Sequence, residues 1–192
     1  MDWKNRLRQV ILIVSFVGFS WLGMQAVHEF GHVIGAWATG GTVERVVLQP
    51  LELSRTDVYP NPSPLVVVWA GPILGVLIPL AALTLAWVAK APALYLFRFF
   101  AGFCLIANGV YISAGAFVGI ADAGVMLQHG SPRIVLVLFG LMTLPFGLLL
   151  WNGLGVSFGL GAARGRVDKY ATMVSAGLVT VTIVLELLLS QT

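Results

Sequence analysis

Residues 10–38 read VILIVSFVGFSWLGMQAVHEFGHVIGAWA. The first part, 10–27, carries no charged side chain, and a helix of about 20 apolar residues is enough to cross a bilayer. Four further apolar runs of that size follow at about 64–88, 99–120, 134–154 and 171–189, the last interrupted only by Glu186. Proline and glycine recur inside them, at Gly71, Pro72, Gly75, Pro79 and Pro145, as is common in membrane helices. The first run does not stop at Val27. It continues through His28, Glu29 and His32 to Ala38, so three polar side chains occupy one turn of an otherwise apolar helix.

Composition agrees with a membrane chain. Of 192 residues, 58% are hydrophobic and 10% charged, with a mean hydropathy of +0.93, whereas a soluble domain is roughly a quarter charged. Eleven basic and eight acidic residues cannot wet the surface of a globule this size. The expected fold is an all-α polytopic membrane protein of five spans, forming one membrane domain over 1–192. A single cysteine, Cys104, rules out a disulfide scaffold. The net charge of +3 comes from residues flanking the apolar runs, which points to topology and away from nucleic acid.

Lys4, Arg6 and Arg8 precede the first run; Lys90 and Arg98 lie between the second and third; Arg164, Arg166 and Lys169 lie between the fourth and fifth. The alternate loops hold only Arg45, Arg55 and Arg133. The positive-inside rule then predicts a cytoplasmic N-terminus and an outer C-terminus; the sequence carries no organellar address, so a plasma (inner) membrane is the default setting. A cleaved signal peptide is not expected, because the nearest small-x-small site, Ala36-Trp37-Ala38, lies beyond the polar turn. The polar connection of 39–63 has room for a short strand at 43–48 but for no soluble domain. Glu186 is expected to snorkel outward and Cys104 to behave as a small apolar residue.

His28-Glu29-Phe30-Gly31-His32 is an H-E-x-x-H pattern. On a helix, positions i and i+4 share a face, so both imidazoles can ligate one Zn²⁺, and Glu29 stands beside them as a base for a zinc-activated water. A lone carboxylate in a span costs about 2.5–3.5 kcal/mol on insertion scales, so the three groups need a shared partner. Catalytic zinc usually has three protein ligands. Asp122, His129 and Asp57 are the candidates for the third. Asp122 leads, because the third run starts inside after Arg98 and should deliver Asp122 to the side where His28 and His32 lie. His129 would share a face with Asp122 at i+7 if that segment is helical, and Asp122 could instead simply cap a helix. For Asp57, a solvated pair with Arg55 competes with any role at the site.

These residues resemble the site-2-protease family of intramembrane zinc metallopeptidases. The likeness runs through His28 to His32, the turn Gly40-Gly41, the β-like stretch with Val43 and Leu48, the Gly-Pro of Ala70-Gly71-Pro72 and the element Asp122-Ala123-Gly124. It implies His28, His32 and Asp122 as metal ligands, Glu29 as catalytic acid/base, and membrane-protein or peptide substrates. The family's second motif usually has an Asn and a Pro shortly before Asp-Gly. Here that proline is missing, Ala123 separates Asp122 from Gly124, and Asn108 lies further upstream, where an interhelical hydrogen bond is its simplest role. A non-proteolytic metal-binding scaffold and a small metal transporter are the rival readings; the transporter lacks the expected inverted repeats.

Overall fold

The computed structural model describes residues 3–50 and 54–189. Among them, helix α1 spans Trp3–Ala38, strands β1 and β2 span Val43–Val47 and Arg55–Val58, and α2 spans Pro64–Val88. Helix α3 follows at Leu94–Val118, then the short α4 at Ala121–Gln128, α5 at Arg133–Trp151, two 3-10 turns, and α6 at Lys169–Leu189. Five of these helices are long and apolar enough to cross a membrane, so the chain is an all-α polytopic membrane protein with one small two-stranded sheet. Each expected run lies within one of them to within a few residues at either end. Their outward faces carry apolar side chains such as Val14, Leu85 and Leu141, as a helix solvated by lipid requires.

Local chemistry explains where the elements stop. Pro64 opens α2 at a position where its missing N–H costs nothing. Gly119 ends α3 in the left-handed region (φ 72°), and its N–H donates to Gly115 O at 2.7 Å. The next helix then packs back on α3, so close that a Cβ added to Gly115 would lie only 2.7 Å from that of Ala123. The expected strand is β1, and it finds its partner in β2: Val43 pairs with Val58, Val46 with Thr56 and Val47 with Arg55, antiparallel.

Two apolar clusters hold the helices together. Leu12, Phe16, Leu96, Leu154, Phe158 and Ala171 form one, and Val68, Ile112, Ala116, Ala123, Met126 and Leu136 the other. Along α3, Asn108 falls between Leu96 of the first and Ile112 of the second. Helices α1 and α2 cross closely through small residues: a Cβ on Gly31 would lie 2.5 Å from Ala70 O, and one on Gly35 would lie 2.7 Å from Ala70 Cβ. Cys104 is fully buried, as expected.

Glu186 departs from expectation. It does not snorkel outward but is buried, with 4% of its surface exposed. Helix α6 runs beside α1 in the same direction, Ala171 packing near Leu12 and Val179 against Gly18. Glu186 lies seven residues beyond Val179, so helical periodicity turns it toward the same packed face.

Candidate metal centre

His28, Glu29 and His32 are all buried on α1 and offer ligand atoms within 4.8 Å of one another. The rest of the site comes from elements distant in sequence. Nε2 of His28 lies 3.1 Å from Nε2 of His32, and Asp122 Oδ2 lies 2.8 Å from the first and 3.3 Å from the second. Asp122 sits in the first turn of α4, whose N-cap position is taken by Ile120, so the helix-cap alternative does not describe it.

The outer nitrogens of both rings are spoken for. His32 Nδ1–H donates to the backbone carbonyl of Val67 at 2.8 Å. Asn108 donates its amide N–H to Cys104 O at 2.9 Å, which leaves its Oδ1 to accept from His28 Nδ1–H at 2.7 Å. Both histidines are thereby set with the proton on Nδ1 and the lone pair of Nε2 turned toward Asp122, the tautomer a metal ligand needs. The Asp122 carboxylate brings Oδ2 to the same point.

Three electron-pair donors therefore crowd together and need a cation among them. A tetrahedral zinc site with arms of about 2.0–2.1 Å has ligand–ligand edges of about 3.3 Å. The observed edges of 2.8, 3.1 and 3.3 Å are close to that size, so the donor set fits a small divalent ion. Gly71 makes the geometry possible, since a Cβ there would land on the His32 imidazole.

Glu29 is engaged differently. Ser54 Oγ donates to Oε1 and Thr56 Oγ1 to Oε2, each at 2.7 Å. Two cavities meet at this residue. The more polar one, of about 600 Å³, is lined by Glu29, His32, Ser54, Thr56 and Asp122 together with Val67 and Val68, and an apolar one of about 520 Å³ lies between α1 and α3 against Trp21, Met24, Ala107 and Val110.

The other sequence candidates stay apart from the three converging atoms. His129 is exposed, and its Nδ1–H donates to Val125 O one turn back at 2.9 Å. Asp57 pairs with Arg55 at 3.4 Å, and both side chains are about half exposed. Ser54 and Thr56 were not foreseen as contacts of the site; for Asn108, facing the site from the third span stood as the alternative to an interhelical hydrogen bond. Asn108 does make an interhelical hydrogen bond, and its partner is the site histidine itself.

Asn108→Leu should weaken metal binding by about 10–100-fold, the usual effect of removing an outer partner of a ligand histidine. Asn108→Asp, which keeps the acceptor, should retain most of it. Competition against a fluorescent chelator measures both, and equal affinity in wild type and Asn108→Leu would contradict this.

A multi-pass membrane protein with a buried His-Glu-His cluster able to hold a metal belongs, as a class, with the membrane metallopeptidases. The profile of the family described as peptidase M50B-like matches residues 10–148, and the chain belongs to that family, the site-2-protease family that its motifs resemble. No curated protein and no solved structure matches the chain.

Proposed function

We propose that the protein is an intramembrane zinc metalloprotease that hydrolyses peptide bonds of membrane-associated protein substrates. The observation that carries this reading is the convergence of His28 Nε2, His32 Nε2 and Asp122 Oδ2 beside the carboxylate of Glu29. His28, His32 and Asp122 would hold the ion, whose Lewis acidity lowers the pKa of a water and polarises a carbonyl when it is bound.

The chain's own residues do the rest. Asn108 and the Val67 carbonyl fix the ring orientations. Glu29 accepts the proton of the attacking water and returns it to the amine as the C–N bond breaks, so one carboxylate serves first as base and then as acid. The apolar cavity between α1 and α3 and the polar cavity beside Thr56 give a peptide leaving the lipid a path past Glu29. β1 offers an edge against which an extended substrate could be held by strand addition.

Cleavage of a membrane-anchored reporter in proteoliposomes, present in wild type and absent in Glu29→Gln, is the test. Equal cleavage by both would remove the proposal.

The same proposal places the N-terminus in the cytoplasm of a cell bounded by the plasma membrane, with the chain acting as one domain. Its support is the skew of Lys4, Arg6, Arg8, Lys90 and Arg98 to one set of ends. With Cys104 replaced by alanine, a cysteine introduced at Lys90 should resist an impermeant maleimide applied to intact cells, and one introduced at Thr42 should react. The reverse pattern would invert the topology.

A further inference from the structure

We infer that Ser54 and Thr56 are positioning residues for Glu29, holding both oxygens of its carboxylate in the direction the reaction needs; this rests on the reading of Glu29 as the proton acceptor. Neither residue belongs to the H-E-x-x-H turn or to the Asp122 element. Both come from the connection after α1, 25 and 27 residues beyond Glu29.

The geometry is redundant in a way a chance contact is not. Each hydroxyl has one proton to give, and each gives it to a different oxygen of the same carboxylate, at 2.7 Å. Thr56 Oγ1 also lies near the Glu29 backbone carbonyl, but at 3.4 Å, so its proton goes to the carboxylate. Ser54 and Thr56 are two apart on an extended segment and so share a face, while Arg55 between them points outward and pairs with Asp57.

Both donors are themselves anchored. Thr56 is held by the strand ladder opposite Val46, and the Ser54 backbone N–H donates to Gln25 Oε1 at 3.1 Å. Gln25 lies one turn before Glu29 on the same face of α1, so one helix supplies both the base and the anchor of its holder. Glu29 borders both cavities, and without the two hydroxyls its side chain could swing into either. A misplacement of about 1 Å can cost roughly 100-fold in rate.

The test uses the full-length protein in detergent with a quenched fluorescent peptide library as probe. In the Ser54→Ala/Thr56→Val double variant, kcat should fall about 10–100-fold, the range for residues that orient a site from behind, with KM within about twofold and bound zinc unchanged. Ser54→Thr/Thr56→Ser, which keeps both hydroxyls, should recover most of the loss. Thr56→Val alone preserves shape and should show part of the effect if the double variant proves unstable.

Infrared spectroscopy of ¹³C-glutamate-labelled protein adds a readout that needs no turnover. The Glu29 carboxylate band, isolated as wild type minus Glu29→Gln, should move when the hydroxyls are removed and return in the swapped variant. Unchanged kcat in the double variant alongside inactive Glu29→Gln would overturn this inference and leave the protease reading standing. Peptide turnover that Glu29→Gln leaves untouched would overturn the protease reading instead, and with it the inference. A band that does not move would overturn the positioning role in either case.

Discussion

Replacing Glu29 with glutamine should reduce peptide hydrolysis by at least about 100-fold, and by as much as about 10,000-fold, the range for removing a general acid–base, while zinc content stays at the wild-type level. Glutamine matches glutamate in shape and still offers one oxygen. One of Ser54 and Thr56 can go on donating to that oxygen, and the other can rotate to accept from the new amide N–H. Packing and the imidazole pair are thus left in place, and what is lost is the capacity to take a proton. Elemental analysis beside reporter cleavage reads both quantities. Zinc lost together with activity would make Glu29 a ligand, a role its place within 4.8 Å of both imidazoles also allows. No cleavage by either protein, with zinc retained and the biological output unchanged in Glu29→Gln, would favour the non-catalytic scaffold.

The second large effect is on the metal itself. Purified wild type should carry about one zinc per chain, and His32→Ala and Asp122→Ala should each lose most of it. Among the described residues, Asp122 is the carboxylate that pairs with both imidazoles, at 2.8 and 3.3 Å. Its removal takes away the negative charge that offsets the ion in a buried site, which an added water cannot replace. His129→Ala and Asp57→Ala serve as controls and should bind as wild type does, because His129 is bonded to its own helix and Asp57 to Arg55. Stripping wild type with a chelator should abolish cleavage, and adding zinc back should restore it. Zinc lost in His32→Ala but kept in Asp122→Ala would move the third ligand elsewhere, and wild type that is folded and metal-free would remove the protease reading.

The two variants probe parts of the site that differed in how far the sequence revealed them. The spans were legible because a run of about 20 apolar residues has few other fates, and α1, α2, α3, α5 and α6 follow those runs closely. The strand at Val43–Val47 was legible from its β-branched residues, but β2, with its Arg-Thr-Asp-Val sequence, has no apolar alternation and read as loop. The hydroxyls that hold Glu29 went unseen with it. Glu186 was misjudged because burial depends on which face of α6 meets α1, and a run apolar on nearly all sides does not say which face that is.

What the sequence settled by itself is local. The spacing of His28 and His32 fixes two imidazoles on one helical face whatever surrounds them, since 3.6 residues per turn brings i and i+4 together. Tertiary structure decided which other groups meet that face, bringing Asn108 and Val67 to it beside Asp122, the candidate the sequence put first. Asn108 is 80 residues from His28, Asp122 is 94, and Val67 is 35 from His32. Their arrival within 2.7–2.8 Å of the imidazoles depends on where α2 and α3 pack against α1 and where α4 packs against those two helices. Small side chains such as Gly31, Gly35 and Gly71 set those approaches by letting the backbones come close, and such contacts leave no periodic trace in the chain.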